Sequence, residues 1–203
     1  PKTFEGMGII YNRSFFEENG WREPTTREEW VSLCEAIKSK GILPVVMGNA
    51  NWRPTNEWFV TVYLNHYPGP EVVYEALTGQ RSWEDPLFVE AIEMLKDDFL
   101  AYWSDFSIYA SLAPEDFVPM IAMRQAAMTV VGSWGFQWLT PEYWPSEDQW
   151  GWAPFPSLRE GVEYPLIDIG IGTTLSVNNN SKHPEEAARF LVWMLSNEEM
   201  VAK

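Results

Sequence analysis

Apolar residues along this chain fall into short unbroken runs and longer stripes of helical period, and the two kinds of segment alternate. Residues 6–12 (GMGIIYN) predict a short buried strand. Residues 13–19 predict a short helix, which Gly20 ends as a C′ glycine. After Pro24, Thr26-Arg-Glu-Glu29 is a capping box, in which the Thr hydroxyl accepts the N3 amide and Glu29 reaches back. Trp30, Cys34 and Ile37 then follow at helical spacing as core positions, and Gly41 ends that helix. Residues 43–47 read as a compact strand, 48–54 as a polar loop, 55–65 as a helix and 66–70 (HYPGP) as a turn. Asp85-Pro86 supplies an N-cap and an N1 proline for a long amphipathic helix with Phe88, Ile92, Leu95, Phe99 and Tyr102 on one face. Pro114 opens another helix carrying Phe117, Ile121 and Arg124. Residues 126–131 (AAMTVV) read as a strand stopping at Gly132, and 149–154 and 169–177 as further strands, with a polar loop at 157–163. Pro184 opens a last helix whose stripe is Ala187, Phe190, Leu191, Met194 and Leu195, and Ser196-Asn-Glu-Glu199 is a fresh capping box. Strands alternating with helices predict an α/β protein.

A strand beginning near residue 1, and a helix nucleated four residues before Lys203, read as cuts through a larger protein. At 203 residues the chain can still bury a sizeable core. The net charge of −15 argues against nucleic acid and against an anionic membrane leaflet, both of which need clustered Lys and Arg. No stretch approaches the ~20 apolar residues of a membrane span. The single cysteine, Cys34, forbids an internal disulfide.

Chemistry is sparse. His66 and His183 are unclustered and fit no metal spacing, and His183, ahead of Pro184, reads as a solvated cap position. Gly132-Ser-Trp-Gly135 departs from the nucleophile elbow, and Gly170-Ile-Gly172 lacks the rest of a dinucleotide fingerprint. No cofactor is predicted. The acidic pairs Asp97-Asp98 and Glu185-Glu186 read as solvated helix faces. Asp168, between two isoleucines at a strand start, reads either as a ligand acceptor or as a turn cap.

Tryptophan is the excess that changes the picture: 12 residues, with aromatics at 15% of the chain. Most are core by default, and Trp30 and Trp193 lie in or beside helical stripes. Trp138, Trp144, Trp150 and Trp152 crowd one stretch, where Trp150 and Trp152 alternate on a strand and face one side. Trp52 and Trp134 each follow a strand, where open α/β sheets bind ligands. An aromatic face with a few placed polar groups suits a sugar. A glycoside hydrolase working with paired carboxylates, and a receptor caging a quaternary amine, are the alternatives.

Six segments in order, Gly8-Ile-Ile-Tyr-Asn-Arg-Ser-Phe-Phe-Glu-Glu-Asn-Gly20, Pro24-Thr-Thr-Arg-Glu-Glu-Trp30, Lys40-Gly-Ile-Leu-Pro44, Ala126-Ala-Met-Thr-Val-Val-Gly-Ser-Trp134, Gly151-Trp-Ala-Pro-Phe-Pro156 and Ser181-Lys-His-Pro-Glu-Glu-Ala-Ala-Arg-Phe-Leu191, resemble the extracellular solute-binding proteins of family 1. Those proteins serve ABC importers and mostly bind sugars. The resemblance implies a type II periplasmic-binding-protein-like fold, with this chain largely one lobe of two. Residues 1–160 would be the second lobe, and 161–203 a crossover strand and helix returning to the first. It implies a non-catalytic carbohydrate receptor that closes over its ligand, partnered with the importer's membrane subunits and located in the periplasm or outside the cell. Trp134 maps onto the family's sugar-stacking Trp. The loop carrying Asn49, Asn51, Trp52 and Arg53 maps onto a ligand-reaching segment. Asp168 completes the expected set from its place at a strand start. The family often has Gly before the Ala-Ala-Met strand, where this chain has Arg124-Gln125, a departure that bears on the turn alone.

Overall fold

A computed structural model describes residues 4–50, 54–172 and 174–197. It divides into two compact units, Gly6–Asp168 and a second made of residues 1–5 with 169–203.

In the larger unit, β1 (Phe4–Asn12) is the organising strand. It pairs antiparallel with β3 (Ala126–Gly132) on one side and with β4 (Trp150–Ala153) on the other. The other edge of β3 carries β2 (Leu43–Val45) in parallel, giving the order β2-β3-β1-β4. Every residue of β3 is buried, the mark of a strand covered on both faces. The strand predicted over 43–47 pairs only to Val45, although Val46 and Met47 stay fully buried beyond it.

Local chemistry explains the helices. Asn12 ends β1 and caps α1 (Arg13–Asn19), its Oδ1 accepting the Phe15 amide at 2.9 Å, and Gly20 closes that helix at φ 69°. Thr26 caps α2 (Arg27–Ser39) through the Glu29 amide at 3.3 Å. Glu29 reaches back one residue further than a standard box, to the amide and hydroxyl of Thr25, both at 2.7 Å. Trp30, Cys34 and Ile37 are fully buried, as their spacing predicts, and α2 packs on β2. The next helix, α3 (Pro54–His66), packs on β3 and on α5 (Pro86–Tyr102). Between them α4 (Pro70–Leu77) forms directly after the turn. Two further helices follow, α6 (Phe106–Ser111) and α7 (Pro114–Ala122).

Arg124 follows α7 at φ 63°, the left-handed region in which glycine carries no steric penalty. It is held there by Glu18, at 2.7 and 2.8 Å, and by Asp148, at 2.8 and 3.0 Å.

One expectation about charge is overturned. Asp97 is exposed, but Asp98 is buried, with its side chain 2% exposed. Its carboxylate receives Arg27 through Nη1 at 2.5 Å and Nη2 at 2.7 Å, Trp30 Nε1 at 3.1 Å and the Tyr63 hydroxyl. The stripe of α5 turns inward far enough to take Asp98 into the core, where a carboxylate survives because it is paired and hydrogen-bonded. Burial, first, and the Asp98 charge push the Tyr63 phenol well above its ordinary range.

In the smaller unit, β5 (Ile169–Ile171) pairs β1, whose first two residues belong to that unit. The strand expected over 169–177 pairs only to Ile171. The helix predicted after Pro184 is α8 (Pro184–Ser196), with exposed His183 at its N-cap. The reading of Trp193 as core is corrected: it is exposed, as are Phe190 and Leu195 of the apolar stripe, and α8 buries no residue. Among the described residues this unit holds only β5, the start of β1 and α8, too little surface to cover the stripe. The capping box at 196–199 extends outside the described residues.

Candidate functional site

Strand direction gathers the candidate residues. Parallel β2 and β3 send their following loops off the same end of the sheet, and Asn49 and Trp134 lie in those loops. Antiparallel β1 begins at this end, since Met7 pairs with Gly132 and Gly8 with Val131. The Gly6 amide donates to Ser133 Oγ at 3.3 Å, tying the start of β1 to the turn after β3.

Trp134 sits in a 3-10 helix, Ser133–Trp138, immediately after β3. Its ring folds back over Gly132, where a Cβ would lie 1.9 Å from ring carbons, so any side chain there evicts the indole. Its other neighbour is Trp58 of α3, 6% exposed, with ring centroids 4.9 Å apart at 58°. The partly exposed Trp134 ring is thus set by a glycine and a second indole before any ligand arrives. Trp152 has a similar seat: its ring covers Gly8, where a Cβ would lie 2.4 Å from it. Trp150 and Trp152 pair with Asn12 and Ile10, two residues apart, so they share a face as expected.

The loop after β2 is held by the segment around α6. The Asn49 amide donates to the Tyr109 carbonyl at 2.9 Å, and the Ala50 amide to that of Leu112 at 3.0 Å. Asn51, Trp52 and Arg53 lie outside the described residues. Asp168 lies beside β1, its carbonyl accepting the Met7 amide at 3.0 Å, and its carboxylate faces His66, with Oδ2 3.5 Å from Nε2.

The buried side-chain polar atoms left without a hydrogen bond, among the described residues, are Asn49 Oδ1, Trp103 Nε1, Ser104 Oγ, Trp134 Nε1, Trp152 Nε1 and Asp168 Oδ2. Native cores leave few such atoms, so where they concentrate is informative. Of these, Asn49 and Trp134 lie in the loops after β2 and β3, and the Trp152 ring covers Gly8 near the start of β1. By contrast, a cleft of about 420 Å³ between residues 25–28 and 157–164 has the polar groups of Ser157 and Arg159 already engaged. There Ser157 Oγ donates to main-chain carbonyls, and Arg159 donates to the carbonyls of Tyr67 and Pro68.

Sequence reasoning passed over Trp58, and took Trp152 as part of a local tryptophan cluster rather than as a site residue. For Trp152 the available signal was Gly8 inside β1, since a strand glycine marks the close approach of another group; Trp58 carried none. Among the described residues no group of three or more His, Cys, Asp or Glu is placed to hold a metal, and no helix is long and apolar enough to cross a membrane.

These features define an α/β lobe with an aromatic, incompletely satisfied sheet end. The model of the bacterial extracellular solute-binding protein family matches residues 1–201, and the chain belongs to that family. The chain is 25% identical over 210 residues to the multiple sugar-binding protein of Streptococcus mutans, covering 96% of this chain and 46% of that one. It is 23% identical over 187 residues to an uncharacterized ABC transporter extracellular-binding protein of Pyrococcus horikoshii, covering 90% and 39%. It therefore spans less than half the length of these curated relatives. Among solved structures it is similar to a sugar transporter of Bacillus licheniformis in complex with stachyose (TM-score 0.75, 22% identity, 100% of this chain and 52% of that one). It is similar also to a chitin oligosaccharide binding protein (TM-score 0.70, 26% identity, 84% and 42%). The fold is thus that of the periplasmic solute-binding proteins, of which this chain is a partial, largely one-lobed piece.

Proposed function

We propose that this chain is the greater part of the second lobe of a carbohydrate receptor for an ABC importer, acting outside the cell or in the periplasm and performing no chemistry. Residues 6–168 form that lobe, and the strand and helix after Asp168 return toward the first. The observation that carries the reading is the Trp134 platform, seated on Gly132 and backed by Trp58, at the sheet end where buried polar atoms lack partners. A sugar presents C–H faces to an indole and hydroxyls to amide and carboxylate groups. The S. mutans relative is described as sugar-binding, and solved neighbours carry stachyose and raffinose, which supports an oligosaccharide as the ligand class. Trp134 supplies the stacking face and Asn49 an acceptor, and Asn51, Trp52 and Arg53, which follow in sequence, are further candidates. Asp168 stands apart, because its carboxylate faces His66. Importer membrane subunits would recognise the closed form, since hinge closure is what ligand changes in a two-lobed protein.

Calorimetry with a panel of di-, tri- and tetrasaccharides tests this. Saturable binding, lost in Trp134→Ala, supports it. Binding of choline or betaine without any sugar, or turnover of a chromogenic glycoside, contradicts it.

A further inference from the structure

The chain passes between its two units twice, at Glu5–Gly6 and at Asp168–Ile169. The second passage coincides with a buried acid–base pair. His66, the last residue of α3, is 1% exposed, and every polar group of its side chain and its carbonyl faces a defined atom. Its carbonyl accepts the Leu158 amide at 2.9 Å, its Nδ1 lies 3.0 Å from the Pro156 carbonyl, and its Nε2 lies 3.5 Å from Asp168 Oδ2. Phe155 packs edge-on to the ring at 5.6 Å.

Hydrogen-bond chemistry fixes the tautomer. A carbonyl oxygen can only accept, so Nδ1 carries its hydrogen. Nε2 then meets a carboxylate oxygen, and two bare acceptors would repel there. The 3.5 Å separation is an ion-pair distance, too long for a shared proton, so the two groups attract only through charge. Asp168 Oδ2 is buried and without a hydrogen-bond partner among the described residues, so its compensation falls to His66 Nε2 at 3.5 Å. The Asp168 main chain meanwhile accepts the Met7 amide at 3.0 Å. One residue thus fastens both passages: its backbone holds the incoming strand and its side chain holds the end of α3.

We propose that His66 and Asp168 form a buried acid–base clasp that pins the main chain at the end of the larger unit, so that Asp168 acts as a positioning residue. This assigns Asp168 a role other than ligand acceptor, and it holds whatever the ligand is.

Hydrogen exchange of the unliganded protein tests the clasp. Asp168→Ala speeds exchange of the Met7 amide roughly tenfold or more and leaves Val130 in β3 unchanged. Asp168→Asn restores protection, because its amide can donate to the bare Nε2. Unchanged Met7 exchange in Asp168→Ala overturns the clasp, whether or not sugar affinity falls. If Asp168→Ala does not fold, the ¹⁵N resonances of His66 in the wild-type protein decide: an Nε2 shifted by the neighbouring carboxyl supports the clasp, and an Nε2 with the shift of an unengaged nitrogen overturns it. No sugar is present in either measurement, so its outcome is independent of the saccharide proposal.

Discussion

Asp98 is where the physical reasoning is most exposed to test. Its buried carboxylate accepts hydrogen bonds from Arg27, Trp30 and Tyr63. Asp98→Ala leaves a guanidinium whose side chain is only 22% exposed without its counter-charge, and two buried donors without an acceptor. Removing one partner of a buried pair costs about 3–5 kcal/mol. The individual bonds to a charged acceptor, at about 1.5–3 kcal/mol each, exceed that when summed, which shows that they do not add. With a urea m-value of about 2–3 kcal/mol/M, the unfolding midpoint falls by roughly 1–2.5 M at unchanged m. Asp98→Asn loses less, since an amide oxygen still accepts from two donors. Replacing both members, Arg27→Met with Asp98→Leu, recovers much of the loss because no charge remains to be desolvated. A loss below about 1 kcal/mol in Asp98→Ala would refute the premise that the carboxylate is buried and paired.

Three other outcomes follow from the same geometry. Gly132→Ala forces the Trp134 ring from its seat, so saccharide affinity falls by roughly tenfold or more while the unfolding midpoint moves little; unchanged affinity in calorimetry would contradict the platform. Arg124→Gly removes left-handed strain of about 1–2 kcal/mol and surface ion pairs of about 0.2–1 kcal/mol each, so the two nearly cancel. A denaturant series showing a loss above about 2 kcal/mol would mean that the pairs dominate. Burial and then the Glu23 carboxylate raise Tyr11 to about 12, and burial and then Glu35 raise Tyr102 to about 12. The unfolded chain releases those protons near pH 10 and the folded one later, so stability is fully present below about pH 10 and falls as pH climbs from about 10 to 12. A urea midpoint flat across that window would contradict the assignment.

Much of the fold was legible because local signals agreed with the packing. The Thr26 cap, the Trp30–Cys34–Ile37 spacing and the apolar run before Gly132 each correspond to an observed element. Illegible features depend on partners distant in sequence. Asp98 next to Asp97 reads as surface until Arg27, 71 residues away, is seen against it. The α8 stripe announces a buried face that the described residues do not cover. His66 falls in a run of turn residues, yet it ends α3 and meets Pro156 and Asp168 across 90 or more positions. At the candidate site, Trp134 could be singled out because it follows a strand. Trp58 could not, because a tryptophan inside a helix looks like any core residue until its ring is found 4.9 Å from Trp134.

The central claim is that the Trp134 end of the sheet binds a saccharide. Titration of intrinsic tryptophan fluorescence with an oligosaccharide panel, in the wild-type protein and in Trp134→Ala, tests it most directly. The account predicts a saturable change with at least one sugar, abolished by the substitution. A saturable change that persists in Trp134→Ala, or none with any sugar, would contradict it.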